Sequence, residues 1–303
     1  MTGIPQLDAA AVEARLQEVG WWAALEQALI ELIRGKAAAP PRIAVRAPAG
    51  LLAAMPGYAG GVLGAKLVTV FPANAQNGLP GHQAVITLFD AATGAPLAIM
   101  DGTAITAART GAVSALATRA LAREGAEVLA ILGTGVQAES HWRAVRQVRR
   151  FEEVRVAGRN PERVLERAAA WGALAAPDIE SAVRGADVVC CCTHADQPIL
   201  RREWLRPGAH VNSVGIGGCE LDPETVAQAD RLVVESRVAF EPFPGGAYEL
   251  QGVLPERGVE LGAILAGAAP GRRNEHELTV FKSVGHAVED VAVAAWVWKG
   301  RAC

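Results

Sequence analysis

VLAILGTGVQA, residues Val128–Ala138, is the stretch that decides the fold. A short apolar run from Val128 to Leu132 ends in Gly133-Thr134-Gly135-Val136-Gln137-Ala138, and a helix-forming stretch follows. This is the G-x-G-x-x-A form of the strand–turn–helix that holds a dinucleotide pyrophosphate. A glycine at 133 lets the chain turn sharply out of the strand, one at 135 lets the backbone approach the phosphates, and an alanine at 138 lets the helix pack close. The phosphates then sit at a helix N-terminus, where N–H groups and the dipole favour negative charge. Two glycines and an alanine at this spacing also make plain strand–helix turns. The strand before and the helix after point the pattern toward a dinucleotide.

Downstream, candidate strands at Val128–Leu132, Val154–Ala157, Val188–Cys192, His210–Val214 and Arg231–Val234 alternate with helical or polar segments. That alternation predicts an α/β fold with a Rossmann-type doubly wound parallel sheet. The second strand ends in Ala157-Gly158-Arg159-Asn160-Pro161, without the acid that an NAD-specific site places against the ribose hydroxyls. Arg159 lies where a guanidinium can grip a 2′-phosphate, which predicts NADP(H) ahead of NAD(H); as a solvated turn residue it would say nothing about the cofactor. Residues 215–278 are rich in Gly and Pro, with a short helix expected from Asp222 and another around Val259–Leu265. Leu278–Lys299 reads as a strand entering a long helix, with Ser283-Val284-Gly285 as the turn between them.

Upstream, Asp8 is a candidate N-cap for a helix over Ala9–Glu18, and Trp22–Ile33 carries apolar residues at helical spacing up to Gly35. Trp21 and Trp22 read as packing anchors. Residues 40–101 hold short, partly alternating runs separated by Gly, Pro and Asn, which predict strands, with a hairpin connection at Asp90–Gly94. Four basic residues, Arg42, Arg46, Lys66 and His82, lie in or between these strands. Arg42, Ala44 and Arg46 share a parity and hence a face, which reads as solvated. Lys66 is flanked by apolar residues and is either an edge-strand gatekeeper or a site residue. From Thr106, ITAARTGAVSALATRALA reads as a helix with Thr106 as N-cap, placing Arg109 and Thr110 in the first turns. A cation there is unfavourable unless something anionic sits beside it, which favours an anion-binding role for Arg109.

The whole chain sets bounds on these readings. Its 303 residues suggest two domains, and the net charge of −3 gives no electrostatic case for nucleic acid or a membrane surface. No apolar run approaches the length of a membrane span. The N-terminal MTGIPQLDAA has neither the basic nor the apolar region of a secretion signal, which predicts a cytoplasmic protein. Cys190, Cys191, Cys192, Cys219 and Cys303 lack metal-ligand spacing and read as small core hydrophobes, so no metal is expected. The simplest architecture joins residues 1–108 and 279–303 as one discontinuous α+β domain around a dinucleotide domain of residues 109–278.

Several long blocks in order resemble the ornithine cyclodeaminase/mu-crystallin family along nearly the full chain. They are MPGY (Met55–Tyr58), GAKLVTVFP (Gly64–Pro72), GHQAVITLFD (Gly81–Asp90), IMDGTAITAARTGAVSALAT (Ile99–Thr118), ILGTGVQA, RPGAHVNSVG (Arg206–Gly215) and TVFKSVGHAVED (Thr279–Asp290). The resemblance implies a substrate and dimerisation domain built from both chain ends, packed on the dinucleotide domain with the active site between them, and a homodimer. It implies that Arg42, Lys66 and Arg109 hold a substrate carboxylate, with Met55 in the matched block beside them. It also implies that Thr110, Gly133, Gly135, Val136, Gln137, Arg159, Asn160, Thr193 and Val284 line the cofactor. His82 lies in a matched block, as either a substrate or cofactor contact or the holder of a structural hydrogen bond. It joins Lys66 and Arg109 as a catalytic candidate, and the proton source stays open between Lys66, His82 and water.

Members of the family differ in chemistry. Cyclodeaminases carry an acid soon after the N-x-V-G strand end; the loop here, Gly215-Ile216-Gly217-Gly218-Cys219-Glu220-Leu221-Asp222, is shorter and lacks an Asp at that place, with Glu220 the nearest acid. The expectation is therefore an NAD(P)H-dependent reductase of a 2-imino carboxylate, a cyclic ketimine such as pyrroline- or piperideine-2-carboxylate. The alternatives are an ornithine cyclodeaminase or alanine dehydrogenase-like enzyme, or a protein that binds NADPH and a small ligand without turnover.

Overall fold

The computed structural model describes residues 3–300, and Cys303 lies outside them. The chain forms two compact units, Met1–Arg109 with His286–Cys303, and Thr110–Gly285. In the first unit, β1 (Gln6–Leu7) leads into α1 (Ala9–Leu16), whose first turn is capped by the Asp8 carboxylate accepting the Ala11 N–H at 2.9 Å. In α2 (Trp21–Ile33), the buried Trp21 donates its indole N–H to the Leu16 carbonyl at 3.0 Å, so it packs and bonds within the fold as an anchor should. Strands β2 (Ile43–Ala47), β3 (Gly50–Ala59), β4 (Val62–Val70), β5 (His82–Asp90) and β6 (Pro96–Asp101) form a meander. With β1 they make a six-stranded sheet in the order β1-β6-β5-β4-β3-β2.

The last helix, α9 (Ala287–Lys299), packs on β3, β4 and β5. Small residues in the sheet permit this close approach: a Cβ on Gly64 would lie 3.0 Å from the Val291 side chain. The opposite sheet face carries Ile43, Val45, Leu52, Leu63, Leu67 and Val85, all exposed and linked by the strand registers.

Helix α3 (Gly102–Leu121) begins four residues earlier than the sequence predicts. The Asp101 carboxylate accepts the Ala104 N–H at 2.7 Å and caps the helix, while the Thr106 hydroxyl donates to the Gly102 carbonyl inside it. Arg109 therefore sits in the helix body, and the argument from a cation at a helix N-terminus does not apply to it. The division between units falls in α3, between Arg109 and Thr110.

The second unit is a wholly parallel sheet. Its strands are β7 (Val128–Leu132), β8 (Glu153–Ala157), β9 (Leu174–Ala175), β10 (Val188–Cys191), β11 (His210–Ser213), β12 (Arg231–Val234), β13 (Gly258–Glu260) and β14 (Thr279–Lys282), in the order β13-β12-β14-β11-β10-β7-β8-β9. Between them run α4 (Val136–Val145), α5 (Pro161–Trp171), α6 (Ile179–Val183), α7 (Pro223–Ala227) and α8 (Leu261–Leu265). The first strand, β7, has β8 on one side and β10 on the other, the reversal of strand order that defines a doubly wound sheet. Residues 279–282 do not open the terminal segment of the first unit, as the sequence suggested. They form β14, which pairs with both β11 and β12, and the chain leaves this unit only after Gly285. Four-residue apolar runs carry no label for the sheet they join, and only the register reveals it. Cys190 and Cys191 are buried on β10 and Cys192 directly after it, and no helix among the described residues is long and apolar enough to cross a membrane.

Three buried imidazoles make the fold sensitive to mild acid. His141 lies between the Gln137 carbonyl and the Ser114 hydroxyl, and burial pushes its pKa down to about 4. Burial likewise lowers His210 to about 3 and His286 to about 4. The unfolded chain takes up these protons near pH 6.5 and the folded chain does not, so stability is full above pH 6.5 and declines as pH falls toward the folded values. We expect His141→Gln to reduce the loss of urea stability between pH 6.5 and 5 by about 1.5 kcal/mol, the share of one such group. An undiminished loss would mean that His141 is not held neutral in the fold.

Candidate active site

In the first unit, Lys66 stands on β4, an interior strand, so it is no edge gatekeeper. Its cross-strand neighbours are Met55 on β3 and Ile86 on β5, and this row faces α9. Lys66 is 2% exposed and Arg109 4%, and both end on acids from the first turn of α9. Lys66 Nζ lies 2.7 Å from Asp290 Oδ2, Arg109 Nε donates to Asp290 Oδ1 at 2.8 Å, and Arg109 also donates to Glu289 Oε2 at 2.8 Å. His286 caps α9 and forms a capping box with Glu289.

The electrostatics of this cluster follow from burial and neighbours. Burial pushes the Lys66 pKa down to about 8 against the pull of Asp290, and Arg109 and Arg42 add to the lowering. Burial alone would raise Asp290, yet Arg109 and Lys66 hold it below the usual carboxylate value. His286 is lowered by burial first and by Arg42 next, so it is neutral at pH 7. Arg42, immediately before β2, thus belongs to the same electrostatic neighbourhood. Arg42, Lys66 and Arg109 thus gather three cations around the acids Glu289 and Asp290.

His82 is placed differently. It pairs with Val70, four residues along β4 from Lys66, about 13 Å at strand spacing. His286 shares the charge neighbourhood of Lys66, and sequence reasoning did not single it out. Nor did it single out Glu289 and Asp290, because acids in the first turn of a helix are expected from the dipole alone.

In the second unit the candidate cofactor residues gather at the carboxyl ends of β7, β8, β10 and β14. Gly133 follows β7 with φ +125°, and a Cβ there would lie 2.5 Å from the Cys192 carbonyl oxygen, so the fold itself demands glycine. Gly135 is different: its φ of −87° suits any residue, and nothing lies within 4 Å of where a Cβ would be. It opens the ten-residue α4 with no side-chain cap, and Val136 beside it is exposed. Open space in front of uncapped N–H groups fits an incoming phosphate. Gln137 follows in the first turn of α4, with its side-chain oxygen buried and without a hydrogen-bond partner among the described residues. Thr110 is buried on α3. Arg159 and Asn160 are exposed after β8, and the Asn160 side chain caps α5 by accepting the Arg163 N–H.

Two buried glutamates organise the other strand ends. Glu220 accepts five hydrogen bonds: from the Thr193 N–H and hydroxyl on Oε1, and from the Ser213 hydroxyl and the Val214 and Gly215 N–H groups on Oε2. Its carboxylate is committed to the turns after β10 and β11, so it is not placed to stand in for a cyclodeaminase acid. Glu235 accepts from the Ser283 hydroxyl and from the Val284 and Gly285 N–H groups, fixing the turn after β14. Buried Lys282 donates to the Ser213 hydroxyl, the Gly215 carbonyl and Glu249.

The ornithine cyclodeaminase/mu-crystallin family model matches residues 6–301. The ketimine reductase mu-crystallin of Rattus norvegicus is 42% identical over 256 residues, 82% of this chain and 80% of the relative. The Thermococcus litoralis Delta(1)-pyrroline-2-carboxylate reductase, solved in complex with NADH and L-proline, superposes with a TM-score of 0.89 at 35% identity over 98% of this chain and 97% of that one. An archaeal alanine dehydrogenase dimer with bound NAD superposes with a TM-score of 0.86 at 32% identity, over 98% and 95%.

The two glycines should separate in experiment. Gly133→Ala meets backbone at a positive φ and is expected to destabilise by about 2 kcal/mol or more, whereas Gly135→Ala should stay within about 1 kcal/mol of the parent. Calorimetric melting of both variants checks this, and equal losses would mean that Gly135 also serves the fold.

Proposed function

This chain belongs to the ornithine cyclodeaminase/mu-crystallin family, and from that membership we propose that it is a nicotinamide-dependent imine reductase. Its substrate is a 2-imino carboxylate, a cyclic ketimine of the pyrroline- or piperideine-2-carboxylate type, and its product is the amino acid. The observation that carries the reading is the buried pair Lys66 and Arg109, joined on Asp290, with Arg42 in the same electrostatic neighbourhood. Convergent cations of this kind suit an anionic group, and the carboxylate of an imino acid is one. Commitment of Glu220 to structural hydrogen bonds supports reduction over cyclodeamination.

Arg42, Lys66 and Arg109 bind and orient the carboxylate; guanidinium–carboxylate bonds are directional, so they fix the imine as well as hold it. Lys66, with a pKa of about 8, holds a proton on Nζ at neutral pH and gives it to the imine nitrogen. Gly133, Gly135, Val136 and Gln137 would hold the dinucleotide, together with Thr110, Thr193 and Val284. When bound in its reduced form, that cofactor supplies the hydride for the imine carbon. Arg159 and Asn160, beyond a strand that ends without an acid, support NADP(H) over NAD(H).

We also propose a cytoplasmic homodimer. The contiguous exposed face of Ile43, Val45, Leu52, Leu63, Leu67 and Val85 is larger than scattered surface apolar residues, and a second copy of the same sheet would cover it. Buried, unpaired cysteines suit a reducing compartment.

The decisive experiment follows NADPH and NADH oxidation with pyrroline- and piperideine-2-carboxylate, against an ornithine and NAD control. We expect stoichiometric cofactor consumption with a cyclic ketimine and preference for NADPH. Arg109→Met should lose at least about a hundredfold in kcat/KM while dinucleotide affinity holds, since a buried charge-assisted contact is removed. Ammonia release from ornithine without net cofactor turnover would replace this reading with a cyclodeaminase. For the dimer, light scattering should report two copies for the parent and one for Val45→Glu/Leu67→Glu; a parent that runs as a monomer rejects it.

A further inference from the structure

We propose that Asp290 is the positioning residue of the carboxylate site: its two oxygens hold Lys66 and Arg109 at a fixed separation and keep Lys66 an ammonium ion. The proposal rests on the reading above, in which Lys66 gives up the proton. Asp290 Oδ2 lies 2.7 Å from Lys66 Nζ, and Oδ1 accepts from Arg109 Nε at 2.8 Å. One rigid carboxylate on a short side chain thus bridges two long, otherwise adaptable side chains. Glu289 does not do this, because it pairs with Arg109 and closes the capping box with His286.

The charged surroundings of Lys66 show why the bridge matters. From the segment before β2 comes Arg42, and from α3 comes Arg109. Strands β3 and β5 offer Met55 and Ile86 directly opposite, neither of them charged. From α9 come His286, Glu289 and Asp290. Burial, Arg109 and Arg42 all disfavour the Lys66 ammonium, and Asp290 is the acid that opposes them by direct contact. Burying a carboxylate at 0% exposure is tolerable only when both oxygens are paired, and here both pair with the two cations that the substrate needs. The position of Asp290 in the first turn of α9 favours its charged form further.

The test is the pH profile of kcat/KM with pyrroline-2-carboxylate, together with L-proline affinity by calorimetry on the same proteins. The parent should show a basic limb near pH 8, and Lys66→Arg should abolish it. In Asp290→Asn the limb, and the pH above which L-proline affinity weakens, should both move acidward by about one unit or more. Asp290→Glu keeps the charge, so its limb should stay near pH 8 while KM rises, because the longer side chain displaces the bridge. A merely structural Asp290 would lower activity and melting temperature equally at every pH. An unmoved limb in folded Asp290→Asn overturns the proposal; if that variant does not fold, a limb displaced in Asp290→Glu overturns it. A basic limb that survives Lys66→Arg removes the Lys66 premise, and the proposal with it. If no imine is turned over, the proposed function fails, and the pH dependence of L-proline affinity alone decides the role of Asp290.

Discussion

Lys66, Arg109, Glu289 and Asp290 are each at most 4% exposed, and their mutual pairing is what makes that burial tolerable. An unpaired charge in such surroundings would neutralise itself, an acid by taking up a proton and an amine by losing one, or pull the structure open. The network also explains why the first unit is discontinuous in sequence. Asp290 lies 181 residues from Arg109, yet the two share a hydrogen bond, so α9 must return to the sheet that the N-terminal segment builds. Small side chains in that sheet, Gly64 among them, let the helix approach closely enough for its first-turn acids to reach the cations. Packing and electrostatics impose one requirement here, since neither the apolar face of α9 nor its acids can be satisfied without the other.

The second unit solves a related problem with different partners. Glu220 and Glu235 are buried carboxylates, but their donors are neutral hydroxyls and backbone N–H groups. Charge-assisted bonds of this kind are stronger than neutral ones, and several converging on one group fix a turn better than backbone pairing alone. Glu220 binds the turns after β10 and β11, and Glu235 the turn after β14. Lys282 then joins Ser213 and Gly215 to Glu249. The carboxyl edge of a parallel sheet is where a ligand meets the fold, and this edge is held by side chains that face inward.

The sequence made some of this legible and hid the rest for physical reasons. GTGVQA at residues 133–138 and the alternation after it identified the doubly wound sheet, because backbone constraints at a sharp turn leave a local mark. Strands β9 and β13 are too short to carry a period, and β14 is a four-residue run whose neighbours are far away in the chain. Lys66 stood out as a cation in an apolar strand, but only the register could show an interior strand rather than an edge. Arg109 was singled out by an argument from the helix start, which the Asp101 cap displaces; its partners are the acids of α9. His286, Glu289 and Asp290 were hidden because a capping histidine and first-turn acids already have a local explanation.

The two glycines after β7 separate what the fold requires from what a ligand would require. Gly133 is fixed by its φ and by the carbonyl of Cys192, so its presence says nothing about a bound molecule. Gly135 has ordinary backbone angles and open space beside it, so internal packing supplies no reason for a residue without a side chain. A feature that folding does not need, in a place where folding would tolerate something else, is the physical trace of a ligand. At Gly135 that trace suits the phosphates of a dinucleotide.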